Sequence, residues 1–268
     1  MIDLGKFNLL GVNINAIDYE ATVQKIVEFA KQRNPLGVSA LAVHGVMSGV
    51  MDVEHRHRLN EIDLVVPDGQ PVRWAMNMIY QTKLNDRVYG PQLMLETCRA
   101  AAENGISIFL FGGRDDLLDE LECNLVKRFS GLKIAGKMQS KFRPISRTEK
   151  QEIIETILKS GAGITFVGLG CPRQEVWTYE YKEHLRQPVL AVGAAFNFHA
   201  GRLAQAPPWM QRLGLEWLYR LCHEPRRLWR RYVLLNPYYL ILLFLQWSGL
   251  KKFPPESTVR PQKEMMFG

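Results

Sequence analysis

The sequence lacks the patterns that mark disulfide-rich, zinc-binding and membrane-spanning proteins. Its four cysteines stand far apart without Cys-x-x-Cys spacing, and its six histidines form no His-Glu-x-x-His or Cys/His zinc pattern. We therefore expect reduced thiols in a cytosolic protein without a metal site, and no signal peptide, because no basic start precedes an apolar run. The longest apolar run, 232–247, is shorter than the roughly 18–20 residues of a spanning helix, which favours an element lying on a membrane.

Several nucleotide-binding and hydrolase motifs are also missing. The chain contains no Gly-x-Gly-x-x-Gly, no P-loop and no Gly-x-Ser-x-Gly. It also contains no Asp-x-Asp, the acidic pair that usually holds a divalent ion on a nucleotide diphosphate. The first absence argues against a nicotinamide- or flavin-binding oxidoreductase. That class stays an alternative, because it shares the alternating pattern of strands and helices described below.

Positive charge is concentrated at one end of the chain. Residues 201–268 hold 11 Lys and Arg against 4 Asp and Glu, which accounts for the whole formal charge of +7, and they hold four of the six tryptophans. A basic, Trp-rich segment suits a phosphate-rich surface, either a membrane or a nucleic acid. Two alternatives stay open: charged helices that only keep the protein in solution, and a non-enzymatic nucleic-acid-binding protein, for which one basic tail is a small footprint.

Within residues 1–200, short apolar runs alternate with amphipathic segments. The pattern predicts strands at 36–43, 62–66, 106–111, 132–136, 164–167 and 189–192, and helices at 19–33, 92–103, 117–129, 148–159 and 173–184. This alternation predicts an α/β fold with a mostly parallel, Rossmann-like sheet and helices on both faces. We expect an α/β domain at 1–202, a basic aromatic helical appendage at 203–252 and a loose tail at 253–268.

Two charged side chains stand next to turns. Asp68 follows a buried strand and precedes Gly69, and a carboxylate at that edge of the sheet suits a general base. The alternative is that Asp68 only caps the helix that starts near Pro71. Arg87 precedes a turn and a helix, where it holds either a phosphate or sugar hydroxyls, or else forms a surface ion pair.

Glycine-containing loops follow three of the predicted strands. Gly112 and Gly113 would let backbone N–H groups approach a phosphate at a helix N-terminus, although Asp115 and Asp116 oppose an anion there. A second loop is rich in glycine, proline and polar residues, which indicates a small-molecule site. The alternative is a purely structural connection between a strand and a helix. Its candidate binding residues are Gly168, Gly170, Pro172, Arg173, Gln174 and Glu175.

Arginines cluster in the basic segment. Arg220, Arg227, Arg230 and Arg231 fall within a few helical turns of one another, and the last three share a face through i, i+3 and i, i+4 spacing. Guanidinium groups on one face suit bidentate contacts to phosphates. The sequence therefore predicts a phosphate-binding set in this segment.

In order and spacing, these motifs resemble the WecG/TagA/CpsF glycosyltransferase family over roughly residues 8–232. Members of that family transfer a sugar from a UDP-sugar to an undecaprenyl-diphosphate-linked sugar. They invert the anomeric centre, need no metal or cofactor, and work at the cytoplasmic face of the membrane. The motifs that carry the resemblance are Pro67-Asp68-Gly69, Arg87-Val88-Tyr89-Gly90, Phe111-Gly112-Gly113, Gly168-Leu169-Gly170-Cys171-Pro172-Arg173-Gln174-Glu175, Gly193-Ala194-Ala195-Phe196 and Glu216-Trp217-Leu218-Tyr219-Arg220.

The resemblance implies a role for each motif. Asp68 matches the catalytic base, and Arg220, Arg227 and Arg230 match the arginines that offset charge on the UDP leaving group. The loop with Gln174 would line the nucleotide-sugar pocket in a catalytic domain at 1–202. The appendage would complete the active site and bind the membrane surface. The implied partners are a UDP-sugar, a polyprenyl-diphosphate-linked acceptor, the membrane and further copies of the chain, but not nucleic acid.

One position departs from the family pattern. Members often carry Thr-x-Asn at the end of an early strand, where this chain has Ala42 and His44. His44 either contacts a sugar hydroxyl or only occupies a turn. Because this position lies near the sugar in the family, the donor need not be N-acetylmannosamine. The residues after Asp68 resemble the exopolysaccharide branch, where glucose or another hexose is a plausible donor.

Overall fold

The structure, a computed structural model, describes residues 1–268 apart from the side chains of Arg230 and Arg231. The strands are β1 (Asp3–Leu9), β2 (Val12–Ile17), β3 (Leu36–Leu41), β4 (Leu64–Pro67), β5 (Ser107–Phe111), β6 (Lys133–Met138), β7 (Ile164–Val167) and β8 (Pro188–Ala191). The α-helices are α1 (Tyr19–Gln32), α2 (Val43–Met51), α3 (Val53–Asn60), α4 (Gln70–Tyr80), α5 (Gly90–Glu103), α6 (Asp115–Arg128), α7 (Arg147–Ser160), α8 (Arg173–Leu185), α9 (Ala195–His199), α10 (Pro208–Arg212), α11 (Glu216–His223), α12 (Pro225–Arg230) and α13 (Asn236–Trp247). A π-helical turn, Arg231–Leu235, joins the last two helices.

Six strands form one parallel sheet in the order β4-β3-β8-β7-β5-β6. They are the six strands that the sequence predicts, with ends shifted by at most two residues. One face is covered by α1, α5, α6 and α9, and the other by α2, α4, α7 and α8. The inner strands are buried on both faces, and their sequences are therefore nearly continuous apolar runs. The predicted α/β, Rossmann-like fold is therefore confirmed.

A hairpin of β1 and β2 precedes this sheet, and the sequence analysis does not predict it. Leu10 and Gly11 form its two-residue turn, both with positive φ, as a hairpin turn that follows the strand twist requires. The second strand packs along β4, where Asn15 Oδ1 accepts a hydrogen bond of 2.9 Å from the N–H of Val65. The hairpin therefore depends on contacts with the main sheet rather than on its own short strands.

The last helix, α13, is docked by one face and exposed by the other. Gln246 accepts from the N–H of Leu10 at 3.0 Å and donates to the carbonyl of Asn8 at 2.9 Å, and the Tyr239 hydroxyl donates to the carbonyl of Pro71 at 3.2 Å. No helix in the described part of the chain has the length and apolar character that crossing a membrane requires. The exposed apolar side chains of α13 include Leu240, Ile241, Phe244 and Trp247.

The final residues of the chain contact α7 and α8. The backbone N–H groups of Met265 and Met266 donate to the Glu180 carboxylate at 2.7 and 3.0 Å, and Glu264 pairs with Lys150 at 2.7 Å. The sequence analysis predicts a loose tail here. These contacts instead hold the end of the chain against the helices that follow β6 and β7.

Candidate active site

The glycine-containing loops after β5 and β7 touch each other at the carboxyl edge of the sheet. Gly112 has a φ of +113°, and a Cβ placed on it would lie 2.9 Å from the backbone of Gly168. A Cβ on Gly168 would in turn lie 2.5 Å from the ring of Phe196. Gly113, also with positive φ, accepts a hydrogen bond from the N–H of Ser140 at 3.0 Å. Only residues without side chains allow this approach, so the glycines keep this edge of the sheet open.

Gln174 connects the loops after β7 and β8. Its Oε1 accepts from the N–H of Gly170 at 3.1 Å, and it lies 3.0 Å from the point where a Cβ on Gly193 would stand. Its Nε2 donates to Glu175 Oε1 at 2.9 Å, and Ser39 Oγ donates to the same oxygen at 3.3 Å. Glu175 has no solvent-exposed surface, and burial raises the pKa of its carboxyl. These two side chains therefore lie beneath the loop and hold its shape.

Three further predicted residues border the same loop. Pro172 and Arg173 are exposed at the start of α8, with the Arg173 guanidinium 5.6 Å from the ring centre of Phe267. His44 lies partly exposed in the first turn of α2. A Cβ on the adjacent Gly45 would lie 3.5 Å from the sulfur of Cys171, so this turn lies against the loop. The structure thus brings the segments that follow β3 and β7 together across β8, which lies between these two strands in the sheet.

Asp68 is held by the backbone of α5 rather than by its own helix. Its Oδ1 accepts from the N–H of Gly90 at 2.7 Å, and no described residue donates a hydrogen bond to Oδ2. The N-cap of α4 is Gly69, without a side-chain cap, so the helix-capping alternative is wrong. Burial raises the pKa of Asp68 to about 6, against the opposing effects of Arg87 and of the Gly90 N–H. A carboxylate of this pKa suits proton transfer near neutral pH.

Arg87 forms a buried ion pair with a residue of the C-terminal appendage. The Arg87 side chain is only 8% exposed, and its guanidinium donates to Glu216 Oε2 at 2.7 Å and to Gln211 at 3.2 Å. The Tyr89 hydroxyl donates to the other Glu216 oxygen at 2.9 Å, and its ring centre lies 4.1 Å from the Arg87 guanidinium. The surface ion pair considered for Arg87 is therefore wrong. This pair instead holds α11 against the turn that precedes α5.

The structure brings the predicted tail arginines together only in part. Arg220 is partly buried, 6.0 Å from the ring centre of Phe198, and its charge is one of those that lower the pKa of Asp68. Arg227 is 62% exposed and pairs with Glu224 at 2.6 Å, and the same Glu224 lies 3.8 Å from Arg220. The side chain of Arg230 lies outside the described residues. Arg220 is thus the tail arginine shown here on the Asp68 side.

Sequence reasoning missed Glu216, which holds α11 against the domain. Glu216 stands beside Trp217 in the arginine-rich segment, and the sequence pattern predicts no role for its carboxylate. The available signal was charge: Glu216 is one of only four acidic residues among the last 68, next to an excess of cations. Its partners, Arg87 and Tyr89, are more than 120 positions away in the chain, so no local pattern identifies them.

Comparison with known proteins identifies the family of this chain. Residues 7–253 match the Glycosyl transferase WecG/TagA/CpsF family. The N-acetylglucosaminyldiphosphoundecaprenol N-acetyl-beta-D-mannosaminyltransferase of Bacillus subtilis (strain 168) is 26% identical over 258 residues, which cover 96% of this chain and 95% of that protein. These findings favour the glycosyltransferase prediction over the oxidoreductase and nucleic-acid-binding alternatives. Because the match includes the sheet, Asp68 and the helices that carry Glu216 and Arg220, the protein belongs to the WecG/TagA/CpsF family and is a glycosyltransferase.

Proposed function

We propose that the protein moves a hexose or N-acetylhexosamine from a UDP-sugar to a polyprenyl-diphosphate-linked sugar. The product would be a precursor of a cell-surface polysaccharide, made on the inner face of the cell membrane. The Bacillus subtilis relative, a transferase named for an N-acetylglucosaminyldiphosphoundecaprenol acceptor, supports this acceptor class. The observation that carries the proposal is a half-buried carboxylate, Asp68, at the carboxyl edge of the sheet with Arg87 and Arg220 nearby.

Asp68 acts as the general base in this reaction. Its Oδ1 is held by Gly90, which leaves Oδ2 to take the proton from the acceptor hydroxyl. The hydroxyl oxygen then bonds to the anomeric carbon of the donor, while the bond from that carbon to the UDP oxygen breaks and UDP leaves with the electron pair. A single displacement of this kind inverts the anomeric centre. The proton remains on Asp68 until product leaves.

Cations and backbone N–H groups replace a metal ion at the leaving group. The loops at Gly112, Gly168 and Gly170 present backbone close to the donor, and Arg220 and Arg227, with Arg230, offset charge that develops on the diphosphate. Gln174 and Glu175 keep the loop in the required shape. Two or more guanidinium groups supply the electrostatic stabilisation that a divalent ion supplies in enzymes with an Asp-x-Asp pair.

The pH dependence of turnover reports on Asp68. The base must be ionised to accept a proton, and burial raises the pKa of Asp68 to about 6. We expect kcat/KM to fall about tenfold per pH unit below about pH 6 and to level off above it. Rates measured from pH 4.5 to 8, with UDP binding measured in parallel, test this. A profile that stays flat down to about pH 4, the ordinary pKa of an exposed Asp, would assign the base elsewhere.

The outer face of α13 and the basic residues of the appendage suit a membrane surface. Leu240, Ile241, Phe244 and Trp247 are each more than half exposed on the side opposite the docked face. Arg226 on the neighbouring α12 and Lys252 after α13 also stand exposed. An apolar face beside cations is what an anionic bilayer surface binds. Such a contact keeps the enzyme where a lipid-linked acceptor is concentrated.

Charge on this face is expected to weaken vesicle binding. In the variant Ile241→Glu/Phe244→Glu, two exposed apolar side chains become acidic, and we expect at least about tenfold weaker binding to anionic vesicles. Cosedimentation with vesicles of mixed anionic and zwitterionic lipid measures this. Val126→Glu/Leu158→Glu is the matched control, because both residues are exposed and apolar but lie on α6 and α7. Equal binding of the two variants would show that α13 does not contribute to vesicle binding.

A screen of UDP-sugars against a short-chain polyprenyl-diphosphate sugar tests the proposed function directly. We expect turnover with one or a few UDP-hexoses or UDP-N-acetylhexosamines, in the presence of a chelator. His44 is the residue whose substitution by Asn is expected to change donor preference, because it borders the glycine loop. Absence of transfer from every UDP-sugar, with transfer from another activated sugar, would overturn the donor class.

A further inference from the structure

A cavity of about 580 Å³ lies between the appendage and the domain. Its walls come from α4, the turn before α5, the end of α6, α9 and α10, and include Gln70, Arg87, Tyr89, Arg128, Phe198 and Arg212. We propose that this cavity binds the sugar phosphate of the acceptor, with Gln70, Arg128 and Arg212 as its recognition residues. This inference rests on the proposed function, because it assigns the two substrates to different sides of Asp68. The volume falls within the range of small-molecule sites, about 300–1,000 Å³.

The cavity is lined by close neighbours of Asp68, although not by Asp68 itself, and by no residue of the glycine loops. Gln70 stands two residues after Asp68, and Tyr89 precedes Gly90, whose N–H holds Asp68 Oδ1. None of the residues that line the cavity comes from the loops after β5 or β7. A ligand seated here therefore lies beside the two segments that carry and hold Asp68, and away from the donor loops. The acceptor is the substrate whose hydroxyl must meet this base.

A buried acceptor atom in the wall calls for a hydrogen-bond donor. Gln70 is only 5% exposed, and its Nε2 donates to Asp86 at 3.1 Å. No described residue donates to its Oε1, although that atom is buried. Most buried polar atoms in proteins have a partner, and an unpartnered one destabilises the site that contains it. Once the Gln70 amide turns toward the cavity, a hydroxyl or an amide N–H of a sugar would supply the missing donor.

The charges in the wall favour an anion. Arg128 ends α6 and Arg212 ends α10, both are exposed, and neither forms an ion pair with any described side chain. The Arg87 charge is already compensated by Glu216, which leaves Asp86 as the opposing carboxylate in the wall. Two free guanidinium groups against one carboxylate suit a phosphate, which arginine binds through paired N–H donors.

An aromatic wall completes the match to a sugar phosphate. Phe198 and Tyr89 line the cavity, and the Tyr19 hydroxyl oxygen accepts a hydrogen bond of 2.8 Å from the backbone N–H of Tyr89, which fixes this wall. Flat rings of this kind cover the apolar face of a sugar without competing for its hydroxyl groups. The cavity therefore offers an acceptor for a hydroxyl, cations for a phosphate and rings for the pyranose.

Binding of a soluble sugar phosphate tests the cavity without any turnover. Calorimetry with N-acetylglucosamine 1-phosphate, with and without saturating UDP, is expected to show binding that persists when UDP is present. In Arg128→Gln/Arg212→Gln the affinity is expected to fall by at least about tenfold. Arg147→Gln, an exposed arginine on α7, is the matched control. Displacement by UDP would place the sugar phosphate in the donor site, and undiminished affinity in the double variant, or no binding at all, would overturn the proposal.

Steady-state kinetics separate this inference from the proposed function. With a short-chain polyprenyl-diphosphate sugar, Arg128→Gln/Arg212→Gln is expected to raise the KM for the acceptor about tenfold and to leave the KM for the UDP-sugar unchanged. Gln70→Met, which keeps the volume and removes the amide, is expected to act in the same direction. A rise confined to the donor KM would overturn the assignment. If the wild-type protein used no polyprenyl acceptor, the proposed function would fail. The calorimetric titration would still show whether the cavity binds a sugar phosphate.

Discussion

Asp68→Asn is expected to lower turnover by about 10²–10⁴-fold, the usual contribution of a general base. The amide is nearly the same size as the carboxylate, and it keeps an oxygen that can accept from the N–H of Gly90. It has no basic oxygen with which to remove the acceptor proton. Transfer assays with the donor sugar identified by the screen, at pH 8 where wild-type Asp68 is ionised, measure the loss.

Binding of UDP distinguishes a chemical defect from a folding defect in this variant. The substitution removes a negative charge near Arg87 and Arg220, so UDP affinity is expected to stay the same or to rise. Asp119→Asn, an exposed aspartate on α6, is the control for removal of a carboxylate elsewhere. An Asp68→Asn protein with nearly full turnover would show that another group takes the proton.

Glu216→Ala is expected to lower the free energy of unfolding by about 3 kcal/mol, because removing one partner of a buried ion pair leaves the other charge uncompensated. Arg87 would remain buried without its carboxylate, and the Tyr89 hydroxyl would lose its acceptor. Turnover is expected to fall by about 10²-fold, since α11 carries Arg220 and would no longer be held beside Asp68. Urea unfolding and transfer assays measure the two effects.

Two comparisons show whether the effect comes from the buried pair. Glu224→Ala removes the glutamate that follows α11, whose ion pairs among the described side chains are with Arg220 and Arg227, so its effect on unfolding is expected to stay within about 0.5 kcal/mol. The double variant Arg87→Met/Glu216→Ala is expected to be more stable than Glu216→Ala, because it leaves no unpaired charge. Equal unfolding free energies for Glu216→Ala and Glu224→Ala would contradict a structural role for the pair.

The main sheet was predictable because each of its strands carries its own signal. Residues 164–167, of which three are apolar, are buried on both faces and followed by Gly168, and the sequence predicts β7 at the observed bounds. The β1–β2 hairpin was missed because its strands are short and one of them is exposed, so its order comes from contacts with β4 and α13. The end of the chain was predicted to be loose for the same reason: its contacts with Glu180 are non-local.

The sequence by itself determined the α/β fold, the glycine loops and Asp68 as a candidate base. Apolar periodicity and glycine conformational preference are properties of short segments, so they can be recognised without knowledge of the fold. Tertiary structure decided what these residues do together. Tertiary structure shows that Asp68 does not cap α4 but is held by the N–H of Gly90, 22 positions away, and that burial raises the pKa of its carboxyl. It also decided that Glu216 joins the basic appendage to Arg87, since pairing between buried charges depends on distance in space and not on distance along the chain.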